Sequence, residues 1–198
     1  MAKLYLQRHL KSQWNLENKF TGWTDVPLCQ EGIKSAQKAA GEFAGLKIDR
    51  VYTSPLIRNR ETVSLILKNL GKENTPVIID KALDERNYGE LQGLNKEEVK
   101  KKFGEEQVHL WRRSYDVAPP GGESLKDVCE RVDPFYKKYI EKDLKDGKNV
   151  LIVASHNSLR AIIKHIENIP DEKIIDLELP FGALVKYDFN GKKYQKLQ

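Results

Sequence analysis

The chain has 198 residues, 39% hydrophobic and 32% charged, which suits one globular domain with a buried core and excludes wholesale disorder. Its net charge is +5, but the longest basic run, Lys100-Lys101-Lys102, lies among Glu97, Glu98, Glu105 and Glu106 and reads as a solvated helix face, not a nucleic-acid patch. No apolar run approaches the ~20 residues of a spanning helix, the start of the chain turns polar too soon for a signal peptide, and Cys29 and Cys129 are lone thiols, so membrane insertion, export, a disulfide framework and a zinc site are all disfavoured.

In chain order, Lys3 to Gln7 reads as a first strand, followed by a loop from Arg8 to Pro27. Ile33, Ala36, Ala40 and Phe43 recur at helical spacing, and Arg50 to Thr53 is a second strand. Pro55 suits a helix start, with Leu56, Val63, Ile66, Leu67 and Leu70 on one face and Gly71 as terminator. Val77 to Ile79 is a third strand, and Asp84 to Gly93 has loop chemistry. Lys96 to Tyr115 reads as a polar helix interrupted at Gly104, ahead of the Pro119-Pro120-Gly121-Gly122 loop. Ser124 caps a long helix that Pro134 should kink. Val150 to Ala154 is wholly apolar, as a strand buried on both faces requires. Leu159, Ile162, Ile163 and Ile166 mark another helix, and Ala183 to Phe189 a last strand. Alternating strands and helices predict a three-layer α/β/α fold with a mainly parallel sheet. One domain over 1–198 is expected, with the polar segment of about 83–120 as a cap over one end of the sheet.

Ligands of such sheets bind outside the carboxyl ends of strands. Arg8-His9 follows the first strand: imidazole is a nucleophile at neutral pH and guanidinium a phosphate fork. Taken singly, the pair reads equally as a surface Arg-His. Ser12, Asn15, Thr21 and Gly22 supply hydroxyl, amide and backbone donors to the same loop, as a phosphate cradle or as plain turn formers. Arg58 stands on the first turn of a helix, where anions are favoured. Glu85 is either a general acid and base or the partner of Arg86 in a surface ion pair. Trp111-Arg112-Arg113 offers two adjacent guanidiniums, for an anionic ligand or for solvent. Ser155-His156-Asn157 follows the buried strand, with His156 either aiding a transferring group or lying in a capping loop.

Together these residues resemble the cofactor-dependent phosphoglycerate mutases of the histidine phosphatase superfamily, over nearly the whole chain. The resemblance is carried by Arg8-His9-Leu10-Lys11-Ser12-Gln13-Trp14-Asn15, Phe20-Thr21-Gly22-Trp23, Tyr52-Thr53-Ser54 with Arg58, and Leu83-Asp84-Glu85-Arg86-Asn87-Tyr88-Gly89. It continues through Glu105-Glu106-Gln107-Val108, Trp111-Arg112-Arg113, Pro119 to Leu125, and Asn157-Ser158-Leu159-Arg160-Ala161. It implies interconversion of 3-phosphoglycerate and 2-phosphoglycerate in glycolysis and gluconeogenesis. His9 would be the nucleophile, primed by 2,3-bisphosphoglycerate without a metal, and Glu85 the proton shuttle. Arg8, Asn15, Thr21, Gly22 and Arg58 would hold the transferring phosphate; Tyr88, Lys96, Arg112 and Arg113 would hold the carboxylate and distal phosphate. Ser12 and Asn157 join the substrate-binding set, and His156 the catalytic one. A cytoplasmic homodimer acting on small phosphoglycerates, with neither a nucleic-acid nor a membrane partner, is expected. Two departures stand out: Leu10 replaces the family's Gly after the nucleophile, and is expected to crowd the phosphate or shift the loop. Ser155-His156 replaces His-Gly, which puts Ser155 at the second catalytic position and should turn His156 elsewhere unless the loop adjusts. A phosphate-ester hydrolase and a non-catalytic phospho-ligand-binding relative are the alternatives.

Overall fold

The computed structural model describes residues 1–197. The chain folds in the order β1 (Ala2–Arg8), α1 (Gln13–Leu16), α2 (Gln30–Gly41), β2 (Arg50–Thr53), α3 (Ile57–Leu70), β3 (Val77–Ile79), α4 (Lys96–Phe103) and α5 (Glu105–Arg113). It continues through α6 (Leu125–Phe135), α7 (Glu141–Lys145), β4 (Val150–Ala154), α8 (His156–Glu167), α9 (Asp171–Ile174), β5 (Leu184–Phe189) and β6 (Tyr194–Lys196). The strands form one sheet in the order β3-β2-β4-β1-β5-β6. β3, β2, β4 and β1 run parallel, and β5 pairs antiparallel with both β1 and β6.

Period-two alternation divides the strands between two cores. Leu4, Leu6, Tyr52, Val150 and Ile152 pack on one face with α6 and α8 residues such as Val128, Val132 and Ile162. Tyr5, Val51, Leu151 and Val153 pack on the other with Phe43 and with Val63, Ile66 and Leu67 of α3. β4 is buried along its whole length, as its unbroken apolar run requires. At Pro134 the expected interruption takes a specific form. Proline cannot donate to the ladder, and the α-helix gives way to a π-helical turn over Tyr136–Ile140 before resuming in α7. A third apolar cluster joins Phe20 to Leu91, Val99, Val108 and Trp111, so α4 and α5 are anchored over the loop that follows β1.

Three elements go beyond those the sequence predicts. α1 interrupts the loop after β1, because Ser12 and Asn15 close a capping box. α9 and the short edge strand β6 lack a strong periodic signal and are formed by tertiary contact. Among the described residues, no helix is long and apolar enough to cross a membrane.

Candidate active site

Parallel pairing brings the carboxyl ends of β1, β2 and β4 to the same edge of the sheet. Arg8 lies opposite Ala154, and Thr53 opposite Val153. Just beyond them opens a cleft of about 550 Å³ of empty space, open solvent at its mouth included. His9, Glu85 and His156 line it with Arg8, Asn15, Thr21, Gly22, Arg58, Tyr88, Lys96, Arg112 and Asn157. Lys19, and Phe20 of the Phe20-Thr21-Gly22-Trp23 motif, line it too, although neither is among the expected site residues. Ser12 and Arg113 do not.

His9 is buried, and its Nδ1 lies 2.6 Å from the carbonyl oxygen of Leu10. A carbonyl only accepts, so Nδ1 carries the proton and Nε2 keeps its lone pair. Burial, then the Arg58 and Arg8 guanidiniums, hold the imidazole well below its ordinary pKa. It is therefore a neutral nucleophile held in a cationic cleft. Arg58, also buried, is aimed by its own donors: Nη2 donates to the Gly22 carbonyl at 2.7 Å and Nη1 to that of Thr24 at 3.1 Å. Gly22 sits at φ +53°, and a Cβ there would lie 2.1 Å from Gln92 Oε1, so the turn demands glycine. Ser12 does not face the cleft. Its Oγ donates to Asn15 Oδ1 at 2.7 Å and its backbone N–H donates to the same oxygen, which leaves the Asn15 amide nitrogen for a ligand.

The loop carrying Glu85 is fixed from three sides. Trp23 Nε1 and Arg131 Nη2 donate to its carbonyl oxygen at 2.6 and 2.9 Å. Its carboxylate Oε1 accepts the backbone N–H groups of Arg86 and Asn157 at 2.7 and 3.2 Å. Oε2 has no protein partner among the described residues, and is free to exchange a proton. Glu123, from the Pro-Gly-Gly-Glu loop, accepts from Asn87 N–H and pairs with Arg131, tying that loop to the Glu85 loop. The surface ion pair between Glu85 and Arg86 is not formed. Arg86 is buried, lies 4.7 Å over the Tyr88 ring and donates to Tyr88 Oη at 3.0 Å. Burial pushes the Tyr88 phenol up, but Arg86 and Arg112 outweigh it and leave the pKa lowered. The adjacent Asp84 carboxyl is pushed up to about 6, mainly by burial that Arg131 only partly offsets. Its folded pKa exceeds the unfolded 3.8, so the native state binds more protons between about pH 4 and 6, and stability falls as pH rises through that window. Asp84→Asn should flatten that slope and raise stability at pH 7 by about 1 kcal/mol, read from denaturant melts across pH.

The two departures resolve differently. Leu10 does not crowd the cleft. Its side chain turns to the α2 side and packs with Leu28, Ala36, Ala39 and Leu65, while its N–H donates to Thr62 Oγ1. Leu10→Ala should therefore cost about 2–4 kcal/mol of stability in a denaturant melt without gaining activity. His156 does line the cleft. It is the first residue of α8, with Ser155 buried as the N-cap and its Oγ 3.4 Å from Asn59 Nδ2. His156 Nε2 accepts the Leu179 N–H at 3.3 Å, which leaves the proton on Nδ1. Burial, then Arg160, Arg8 and Arg113, hold it neutral, so it offers a hydrogen bond and no charge.

A segment for which the sequence gives no signal, Leu177 to Gly182, packs against residues of the cleft. Arg8 Nη1 donates to the Leu179 carbonyl, and the Arg8 guanidinium lies 3.9 Å over the Phe181 ring. Gln7 Nε2 donates to the Gly182 carbonyl at 2.6 Å. Arg113 pairs with Glu178 of this segment.

The profile of the histidine phosphatase superfamily (branch 1) matches residues 4–198. The 2,3-bisphosphoglycerate-dependent phosphoglycerate mutase of Cytophaga hutchinsonii is 49% identical over 192 residues, which are 97% of this chain and 90% of that protein. The chain belongs to this family of phosphoglycerate mutases, within the histidine phosphatase superfamily. A second relative of the same description, from Mesorhizobium japonicum, is 50% identical over 95% of this chain and 92% of its own length. Among solved structures, Bacillus stearothermophilus YhfR superposes with a TM-score of 0.86 at 24% identity, covering 99% of this chain and 95% of YhfR, a likeness of fold. Family membership accounts for the motifs, but the His156 and Leu10 placements come from this chain's own packing.

Proposed function

We infer that the protein is a phosphoglycerate mutase, interconverting 3-phosphoglycerate and 2-phosphoglycerate in glycolysis and gluconeogenesis through a phosphorylated His9. The observation that carries the reading is His9, buried and held neutral beside Arg8 and Arg58, in one cleft with Glu85, Lys96 and Arg112. A phosphatase needs Arg8 and Arg58 beside its nucleophile; a substrate carrying a second anionic end also uses Lys96 and Arg112.

The donor set fits 2,3-bisphosphoglycerate. Among the described residues, Thr21 Oγ1 and Arg8 Nε are buried without protein partners, as donors reserved for an anion are. Arg8, Asn15, Thr21, Gly22 and Arg58 would hold one phosphate; Tyr88, Lys96 and Arg112 would hold the carboxylate and the other phosphate. The bisphosphate supplies the phosphoryl group that primes the enzyme. His9 Nε2 then carries that group, and its Nδ1–H bond to Leu10 keeps the ring in line. As a substrate hydroxyl attacks the phosphohistidine phosphorus, the P–N bond breaks, and Glu85 Oε2 takes the hydroxyl proton. In the reverse transfer the P–O bond breaks, His9 Nε2 accepts the phosphoryl group and Glu85 returns the proton to the leaving oxygen. Arg8 and Arg58 offset the charge on the equatorial oxygens, and His156 Nδ1–H adds a neutral donor. Phosphoryl transfer needs chiefly this positioning and charge neutralisation.

The same reading carries a cytoplasmic location and a homodimer. Support for the latter is the β3 edge, where Val77 and Ile79 are exposed beside unpaired strand groups. The test is a coupled assay for 2-phosphoglycerate formation, with and without added bisphosphate. A rate that requires the bisphosphate is the expected result. Phosphate release without 2-phosphoglycerate would instead favour hydrolysis, and ligand binding without phosphorylation would favour the non-catalytic alternative.

A further inference from the structure

Arg113 presents an anomaly. It neighbours Arg112, which lines the cleft, at the last turn of α5, yet its guanidinium is turned to a carboxylate of its own chain. That carboxylate is Glu178, in the segment that also contacts Arg8 and His156 of the cleft. Glu178 Oε1 also lies 3.3 Å from Arg160 Nη2, and Oε2 lies 3.6 Å from His156 Nε2. The last contact is not a bond: Nε2 is the unprotonated nitrogen, already accepting from Leu179.

The three partners are held to different degrees. Arg160 is buried and committed to backbone, donating to the Leu177 carbonyl at 2.8 Å and the Ile175 carbonyl at 3.1 Å. The segment therefore stays in place whether or not the Glu178 side chain does. Glu178 is 55% exposed at its side chain and Arg113 30%, so their pair is of the solvent-screened kind that forms and breaks easily. A phosphoglycerate brings several negative charges to the cleft that Arg112 and Lys96 line, one residue along the chain from Arg113. Two anions cannot share Arg113 without repelling each other.

We propose that Glu178 is an internal counter-anion for Arg113, which the distal anionic end of the substrate displaces, so that Glu178 sets the affinity of the site and its preference among anions. The proposal rests on the phosphoglycerate reading above. In the substrate-free protein the carboxylate keeps Arg113 folded onto the Leu177 to Gly182 segment. On binding, the side chain swings to solvent and Arg113 joins Arg112 on the ligand. Smaller, singly charged anions displace it poorly, so the pair discriminates by charge.

Calorimetric titration of 3-phosphoglycerate into the parent protein, Glu178→Gln, Arg113→Ala and the double variant tests this. Glu178→Gln should lower Kd by about two- to fivefold, the scale of one screened ion pair. The gain should shrink as salt rises, and it should vanish in the Arg113→Ala background, a coupling that a loosened loop would not produce. Weaker or unchanged binding by Glu178→Gln, with the parent binding normally, would overturn the proposal. So would a gain that persists without Arg113. A parent protein that neither binds nor converts 3-phosphoglycerate would overturn the function reading, and the proposal with it.

Discussion

His9→Ala is expected to abolish bisphosphate-dependent conversion of 3-phosphoglycerate, by about 10⁴-fold or more, while the protein stays folded. The expectation follows from geometry. The ring is fixed through Nδ1 to Leu10, held neutral by burial and two guanidiniums, and no other imidazole nitrogen in the cleft has its freedom. His156 cannot take over, because its Nε2 is occupied by Leu179 N–H. The same environment sets a pH dependence. His9 is held well below 6.5, so it stays unprotonated there, and its protonation should not limit kcat/KM until the pH falls well under that value. A His9-linked acid limb centred near 6.5 in a pH–rate profile would contradict the assignment.

Glu85→Gln should lower kcat by about 10²- to 10⁴-fold, the usual worth of a positioned acid–base group, with a far smaller effect on substrate binding. Glutamine can keep its oxygen on the Arg86 and Asn157 N–H groups and leave only an amide toward the cleft. Shape is preserved and proton exchange is lost. Steady-state kinetics beside calorimetric binding separates the two effects. A loss confined to KM would show that Glu85 acts in binding alone.

Much of this site is legible before folding because its residues sit at strand ends. A buried β4 is recognisable from five successive apolar residues, and Ser124 from its capping box with Asp127. Those two anchors, with the first strand, place Arg8-His9 and His156 at one edge of the sheet. Glu85 is less legible. Its neighbour Arg86 invites an ion pair, whereas the structure gives Arg86 to Tyr88 and Glu85 to two backbone N–H groups. Leu10 misleads because its sequence position touches the nucleophile while its side chain belongs to the α2 core. The Leu177 to Gly182 segment is invisible for a different reason. Its bonds to β1 join residues about 170 positions apart, such as Arg8 with Leu179, and no local periodicity encodes such a contact. Glu178 therefore looks like one more charge near a proline, and Arg113 like a free cation, until the fold brings them together.

In this mechanism His9 alone carries the phosphoryl group. Intact-protein and peptide mass measurement, after brief exposure to 2,3-bisphosphoglycerate and an alkaline quench that preserves phosphohistidine, tests it most directly. A gain of one phosphoryl group located on His9, and absent from His9→Ala, is the expected result. No gain, or a phosphoryl group on His156 or elsewhere, would contradict it.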